Sequence, residues 1–267
     1  MAAFFYSQVR HRPHFAAMCM TLSQVLLFSS LGALLSYLLA REGGAYWDDR
    51  FKAWDLALGF DWLGYVRLID ASPLVTMIFR AAYASLIPQI IVLVLFLGFT
   101  ARLKQLNLLI FAAIFCGTVT VLLSPLFPAL SNYVALGLRA EDFDNVNPLA
   151  GYVHLAHFNG LRNGEPFLLS LPEMQGIITF PSYHAGLSTV TLWAFWVSGA
   201  AWVRWPGSIV ALLTIAATPV DGGHYLVDII AGMSIAAASI AVAPLAIRLR
   251  LVSPMTGPPT ERPLAAG

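Results

Sequence analysis

The sequence predicts an all-α polytopic membrane protein, a bundle of six transmembrane helices with interfacial helices in the outer loops. The chain has 267 residues, of which 58% are hydrophobic and only 11% are charged, and its mean hydropathy is +0.74. This composition lies far outside the range of soluble domains. Six apolar stretches are long enough, or nearly so, to cross a hydrocarbon core of roughly 30 Å: residues 14–40, 73–101, 106–127, 182–203, 206–220 and 224–247.

The first and fifth stretches need separate treatment. The first is too long for a signal-peptide core and lacks a convincing small-residue cleavage site, so it is predicted to be a retained span. The fifth is bounded by Pro206 and Asp221, and we expect it to stop just below the headgroup level. Residues 1–252 are predicted to form a single membrane-embedded domain, and residues 253–267 a disordered cytoplasmic tail.

Basic residues are unevenly divided between the two sides of the predicted bundle. With the N-terminus in the cytoplasm, the outer segments hold six basic and twelve acidic residues. The inner segments hold one acid, Glu261, and eight basic residues: Arg10, Arg12, Arg102, Lys104, Arg204, Arg248, Arg250 and Arg262. Short inner loops carry the Lys/Arg excess. Both termini are therefore expected inside an inner or plasma membrane, with the two long loops outside.

The two outer loops differ in character. Residues 45–69 mix acids and bases with aromatic residues, and two interpretations stay open: a segment in the interface plane, or a loop packed on the other helices. Residues 128–181 contain Gly, Pro and Asn punctuation but no span-length apolar run, so we expect short elements over the outer surface. Basic residues are scattered and the net charge is +1, which gives no indication of a nucleic-acid partner. Cys19 and Cys116 lie in apolar runs and receive no function.

Two histidines are expected at the same depth near the outer side. "PSYHAG" places His184 in the first turn of the fourth span, and "DGGHYLVDIIAG" places His224 at the start of the sixth. Asp228 follows His224 by four residues, hence on the same helical face. Its carboxylate can hold one ring nitrogen and leave the other facing the mouth of the site, which is the arrangement of an oriented nucleophile or base.

Three other interpretations of these residues stay open. His224 and Asp228 can bond to each other and staple two helices, a purely structural role. The cluster of His184, His224 and Asp228 can relay protons in a non-enzymatic transporter. A zinc hydrolase is the third, because His and Asp four residues apart can ligate zinc. No HExxH or cysteine cluster supports the zinc site, so no metal ligand is assigned.

The two histidine motifs resemble those of a known family. "FPSYHAG" at 180–186 and "ATPVDGGHYLVDIIAG" at 217–232 resemble the second and third signature motifs of the type-2 phosphatidic acid phosphatase (PAP2) superfamily. The resemblance spans residues 120–245 and is closest to the branch of inositol phosphorylceramide synthases and their bacterial relatives. It implies a six-helix bundle, no cofactor and metal-independent phosphoryl transfer. It also implies that His224 forms a phosphohistidine, that Asp228 orients it, and that His184 protonates the leaving alcohol.

The sequence departs from the phosphatase pattern in its phosphate-binding residues. Ala217 and Thr218 stand where the phosphatase motif has Ser-Arg, and "SPLFPALSNY" stands where the first, lysine-containing motif is expected. The phosphate must then find other ligands, although snorkelling to headgroups is an equal alternative for each arginine. The candidates are Arg162, Arg139, Arg80, the Ser182 hydroxyl and the N–H groups of Gly222 and Gly223.

These observations predict an integral membrane enzyme that transfers phosphoryl groups. The substrate is expected to be a phosphate or phosphodiester of a phospholipid or sphingolipid, met at the extracytoplasmic leaflet. Water as acceptor would make the enzyme a lipid phosphatase. An alcohol or inositol-type acceptor would make it a headgroup phosphotransferase, and the sequence leaves both open.

Overall fold

The computed structural model of the chain describes residues 1–9, 12–147, 149–164 and 174–249, and these residues form helices and loops without a β-strand. The π-helical turn Phe5–Val9 and the 3₁₀ turns Ser124–Leu126 and Ala140–Asp142 join them. In chain order the α-helices are α1 (Ala2–Phe4), α2 (Pro13–Ala40), α3 (Asp48–Ala57), α4 (Trp62–Asp70), α5 (Pro73–Ala84), α6 (Leu86–Phe99), α7 (Leu103–Leu123), α8 (Asn132–Ala135), α9 (Leu149–Tyr152), α10 (Leu155–Arg162), α11 (Tyr183–Trp196), α12 (Ala201–Asp221) and α13 (Leu226–Arg248).

Several of these helices are long and apolar enough to cross a membrane. Among the described residues, α2, α7, α12 and α13 meet this criterion, and the pair α4–α5, bent by 111°, makes a fifth span if it is counted as one. This confirms an all-helical membrane protein, while the number of six spans stays a prediction. Residues 73–101, expected as one span, are divided at Ser85 into α5 and the 14-residue α6. Helix α11 also has only 14 residues.

The fifth predicted stretch is longer than expected. We placed its start at Pro206, but α12 begins at Ala201 and continues through both Pro206 and Pro219 to Asp221. A proline inside a helix removes one main-chain hydrogen bond and clashes with the preceding turn, yet it need not end the helix. The boundary drawn at Pro206 was therefore wrong.

Helix α11 lies at the centre of the bundle, where it packs against α6, α7, α12 and α13. The main core joins it to α6 and α7 through fully buried side chains such as Leu97, Leu106 and Val190. By contrast, α2 leaves large apolar side chains exposed, among them Leu26 at 70% and Leu27 at 61%. Apolar side chains exposed along a spanning helix are expected to face lipid. The centre of the protein therefore lies around α11, which carries the first histidine motif.

The segment of residues 48–69 packs on the C-terminal end of α12 and the N-terminal end of α13. The Trp62 indole N–H donates to the Pro219 carbonyl oxygen at 3.1 Å, and the Tyr65 hydroxyl donates to the Ala216 carbonyl oxygen at 2.9 Å. In α3, Phe51 is fully buried against Tyr225. Of the two interpretations of residues 45–69, the structure thus favours a segment packed on the other helices.

Candidate active site

A cavity of about 610 Å³ lies between α2, α7, α11 and the junction of α5 with α6. His184 and His224 both line it, together with Tyr83. Most of the remaining wall is apolar or small, with Phe28, Leu86, Ile87, Val121 and Leu187 among its residues. The structure therefore brings the two predicted histidines to one shared cavity.

His184 is held by the start of α11. The Ser182 side chain caps this helix by accepting the Ala185 N–H at 3.3 Å, and the Ser182 N–H donates to the Asp228 carbonyl oxygen at 3.0 Å. The His184 ring stacks on Tyr83, with 4.3 Å between the ring centroids and 8° between the planes. These contacts fix the imidazole between α11 and α5 and tie its helix to α13.

His224 and Asp228 interact directly. His224 Nδ1 lies 3.3 Å from Asp228 Oδ2, and the same oxygen accepts the Tyr225 N–H at 2.9 Å. Both side chains are buried, and the backbone of Thr179 lies beside the imidazole. The contact with Asp228 favours the tautomer that carries its proton on Nδ1, which leaves a lone pair on Nε2.

The turn that carries His224 packs against Ser131 and the first residues of α8. Gly223 has a φ of +66°, a conformation that a residue with a Cβ rarely adopts, and an added Cβ would lie 2.9 Å from the Tyr133 ring. The Gly223 carbonyl oxygen accepts the Asn132 N–H at 2.9 Å. The Asn132 side chain donates to the His224 carbonyl oxygen at 3.4 Å. The backbone on both sides of the imidazole is therefore held in place.

The three predicted phosphate-binding arginines do not line the cavity. Arg80 donates to the Asn145 carbonyl oxygen at 3.2 Å and lies within electrostatic range of Asp221, which precedes the glycines of the histidine motif. Arg162 donates to the Gly44 carbonyl oxygen, and its guanidinium lies over the Tyr46 ring at 5.0 Å. The roles proposed for these arginines stay predictions.

The remaining predicted phosphate ligands have structural partners or lie at the surface. Arg139 is exposed and begins a 3₁₀ turn, in which its N–H donates to Asp142 at 2.6 Å. The Gly222 N–H donates to the Thr218 carbonyl oxygen at 3.1 Å, so that donor is already used. Ser182 is completely buried and caps α11. Whether Ser182 or Gly223 contacts a phosphate stays a prediction.

Sequence reasoning missed Tyr83, although it stacks on His184 and lines the cavity. The one available signal is its position three residues after Arg80, which places both side chains on one face of α5. The described residues contain no group of three or more His, Cys, Asp or Glu side chains arranged to hold a metal ion.

The fold and this cavity define a class: a helical membrane protein with a half-buried and a buried histidine in the lining of one mostly apolar cavity, the buried one paired with a carboxylate. The sequence model of one family, described as the PAP2 superfamily, matches residues 49–242. That range is more than half of the chain, so the chain belongs to the PAP2 superfamily. Membership confirms the superfamily predicted from the two motifs and indicates phosphatase or phosphotransferase activity in general terms. Comparisons with curated proteins and with solved structures give no significant match.

Proposed function

We propose that the chain is an integral membrane enzyme that transfers the phosphoryl group of a phospholipid or sphingolipid at the outer leaflet. The observation that supports this most is the cavity itself, which combines His184 and His224 with a lining that is otherwise mostly apolar or small. A lipid phosphate has the same division between a polar and an apolar part. The superfamily match supports the phosphoryl chemistry, and the walls support a lipid over a soluble phosphate ester.

Some of the residues that line the cavity, on α2, α5 and α6, are also exposed at the protein surface. Ser29 on α2 and Ala84 at the end of α5 are exposed and line the cavity, as does Ile87 on α6, which is 52% exposed. In a spanning helix such residues face hydrocarbon rather than water. A lipid therefore has a lateral route to the histidines between α2 and α6 without leaving the bilayer.

In the first step, the Nε2 lone pair of His224 attacks phosphorus in line with the leaving oxygen. A P–N bond forms, the P–O bond to the lipid alcohol breaks, and His184 donates a proton to the departing oxygen. Asp228 holds the His224 ring by Nδ1 and stabilises the positive charge that develops on it. Phosphohistidine is the product on the enzyme.

In the second step, an acceptor hydroxyl attacks the phosphohistidine. His184, now neutral, takes the proton of that hydroxyl while the P–N bond breaks and His224 is regenerated. Water as acceptor gives hydrolysis, and an alcohol or inositol-type acceptor gives headgroup transfer. Ala217 and Thr218, in place of the Ser-Arg pair of the phosphatase motif, support the transferase branch similar to inositol phosphorylceramide synthases.

Arg80 is the arginine that we propose for the phosphate oxygens. Phosphoryl transfer needs positive charge around the equatorial oxygens, and Arg80 lies within electrostatic range of Asp221 at the start of the histidine motif. Arg139, Arg162, Ser182 and Gly223 are the other proposed ligands.

The proposal includes six spans with both termini inside. Helices α6 and α11 would be the two short spans beside the four long ones. A proton-relaying transporter, the alternative function, is favoured by broken helices in matching positions of two halves. Among the described helices, one strongly bent pair occurs, α4–α5. The enzymatic interpretation is therefore preferred.

The test uses purified full-length protein in lipid vesicles and a phospholipid labelled in its phosphate. Products are separated by thin-layer chromatography with and without inositol or another alcohol, in the presence of a strong chelator. Free phosphate indicates hydrolysis, and a new labelled phosphodiester indicates transfer. His224→Ala should abolish both, whereas His14→Ala at the start of α2 serves as the histidine control. Activity retained in His224→Ala, or lost on chelation, would overturn the mechanism.

A further inference from the structure

Helix α3 buries two of its carboxylates although some of its large apolar side chains stay exposed. Asp55 is 2% exposed and Asp48 is 9% exposed, whereas Trp54 and Leu56 on the same helix are 47% and 63% exposed. Burying a carboxylate costs free energy unless strong hydrogen bonds offset the loss of water. The two buried aspartates therefore require specific partners.

The partners of Asp55 are the first two N–H groups of α13. Asp55 Oδ2 accepts the Leu226 N–H at 2.8 Å, and Asp55 Oδ1 accepts the Val227 N–H at 3.0 Å. The N–H groups of the first helical turn have no acceptor within their own helix. An N-cap side chain usually satisfies them from within the chain segment. Here a carboxylate from a helix about 170 residues earlier in the chain does so.

Asp48, the first residue of α3, also contacts the start of α13. Its Oδ1 accepts the Tyr225 hydroxyl at 2.8 Å and the Leu130 N–H at 3.0 Å. Leu130 leads into Asn132, which in turn bonds the carbonyl oxygen of His224. Helix α3 thus contacts both the start of α13 and the loop that supports the His224 backbone.

These contacts converge on Asp228. Its Oδ2 is shared between the Tyr225 N–H and His224 Nδ1, so its position depends on where the first turn of α13 lies. The other oxygen, Oδ1, is buried without a hydrogen-bond partner among the described residues. A shift of the helix start would therefore move the Asp228 carboxylate relative to the imidazole, since Oδ1 makes no bond that would hold the carboxylate in place.

We infer that Asp55 is a positioning residue of the phosphoryl-transfer site, which fixes the first turn of α13 and thereby sets the contact between Asp228 and His224. The inference rests on the proposed function. Burial raises the pKa of Asp55, and the N–H groups of Leu226 and Val227 oppose that rise. These bonds therefore favour the charged form, in which both oxygens are strong acceptors.

The first test is Asp55→Asn, which keeps the size of the side chain but replaces one acceptor with an NH₂ donor. One of the two N–H groups then loses its acceptor, and a misplacement of about 1 Å can lower turnover roughly 100-fold. We expect kcat to fall by that order with little change in KM, because Asp55 is not among the residues that line the cavity. Asp61→Asn is the matched control. Asp61 also caps a helix, accepting the Gly64 N–H at 3.0 Å, but it is exposed on α4.

A double-mutant cycle separates positioning from general stability. If Asp55 acts through Asp228, then Asp55→Asn should cost far less in an Asp228→Asn background than in the wild type. Additive effects would overturn the inference, as would wild-type kcat in Asp55→Asn. Should that variant not fold, Asp55→Glu keeps both oxygens with a longer reach. It should fold with reduced kcat, and unchanged kcat there would equally contradict the role.

A second measurement does not depend on activity. Amide hydrogen exchange at Leu226 and Val227 should be faster in Asp55→Asn than in the wild type, and unchanged in Asp61→Asn. If the wild type shows no phosphoryl transfer, the proposed function fails while the exchange result still decides whether Asp55 fixes this turn. Unchanged exchange combined with normal phosphoryl transfer in the wild type would refute the positioning role alone.

Discussion

Gly186 of α11 and Gly232 of α13 bring the backbones of these two helices into direct contact beside the histidine motifs. A Cβ added to Gly186 would lie 3.0 Å from the Gly232 carbonyl oxygen and 2.9 Å from Cys116 Sγ. A Cβ on Gly232 would overlap the Ser182 carbonyl oxygen. Small residues permit this kind of close crossing between membrane helices. The crossing sets the separation of the two helices that carry His184 and Asp228.

Gly232→Ala is predicted to lower both stability and activity. The added methyl group meets main-chain atoms, which cannot rotate away, so α11 and α13 must separate. Overpacking of this kind costs about 1–3 kcal/mol. Thermal unfolding in detergent, followed with a labelled-lipid assay, measures both effects. Gly32→Ala is the control for stability alone, since its Cβ would meet only Phe28 at 3.6 Å, and a helical Gly→Ala change is otherwise favourable. Equal stability of the two variants would contradict the crossing.

The helical membrane class could be predicted from the sequence because the apolar interior of a bilayer determines both the composition and the length of a spanning helix. Helix boundaries depend on packing. The break at Ser85 and the passage of α12 through Pro206 are set by neighbours that no single stretch of sequence identifies. The same holds for α11, a helix of 14 residues that packs against four other helices.

The histidines and Asp228 could be found from the sequence because they lie close together in two short motifs. Asp55 could not, since its partners Leu226 and Val227 are about 170 residues away and are main-chain groups without a sequence signal. Tyr83 is similar, because its stacking on His184 depends on how α5 packs against α11. Residues that support a site through tertiary contacts cannot be identified from the spacing of residues within a short sequence motif.

Replacing Arg80 tests the proposed source of positive charge. Arg80→Gln keeps a polar side chain with N–H donors but removes the charge. Loss of one such electrostatic contact in the transition state typically lowers the rate by about 10²–10³-fold. Single-turnover assays on the purified variant measure it. Arg67→Gln, at an exposed arginine of α4 that is not a proposed phosphate ligand, is the control. If Arg139→Gln or Arg162→Lys shows the larger loss, the role belongs to that residue instead.

The cavity wall on α2 is predicted to select for the lipid part of the substrate. Ala33 lines the cavity, and Ala33→Phe would fill part of its volume. Changes of one or a few carbons in such a pocket alter kcat/KM by about 10–200-fold. We expect that loss for a long-chain lipid but not for a small aryl phosphate. Leu34→Phe is the neighbouring control, because Leu34 is 41% exposed and does not line the cavity. Equal losses with both substrates would argue against a lipid-binding wall.

The orientation can be tested with a single cysteine in the second outer loop. Glu141 is exposed, so Glu141→Cys provides an accessible thiol, and Cys19 and Cys116 are replaced by alanine to remove the background. A membrane-impermeant maleimide should label this position in intact cells. Lys104→Cys, at the predicted inner side, should react only after permeabilisation. The opposite pattern would reverse the proposed topology and place the histidines on the cytoplasmic side.

The last prediction separates the roles of His224, His184 and Asp228. His224→Ala should abolish turnover and any acid-labile phosphoenzyme, because it removes the atom that bonds to phosphorus. His184→Ala lacks only the proton donor, so it should still form phosphoenzyme from an activated aryl phosphate whose leaving group needs no proton. Asp228→Asn should keep the fold and turn over slowly, since an amide can hold Nδ1 but cannot stabilise the imidazolium as a carboxylate does.

Rapid acid-free quenching of purified protein with labelled aryl phosphate distinguishes these outcomes. The wild type and His184→Ala should both accumulate labelled protein, and His224→Ala should not. His157→Ala is the control for a histidine that lies elsewhere, bonded to the Tyr37 hydroxyl at 2.8 Å. It should label like the wild type. Label retained in His224→Ala would assign the nucleophile to another residue and restore the structural interpretation of the His224–Asp228 pair, in which the two side chains only bond to each other.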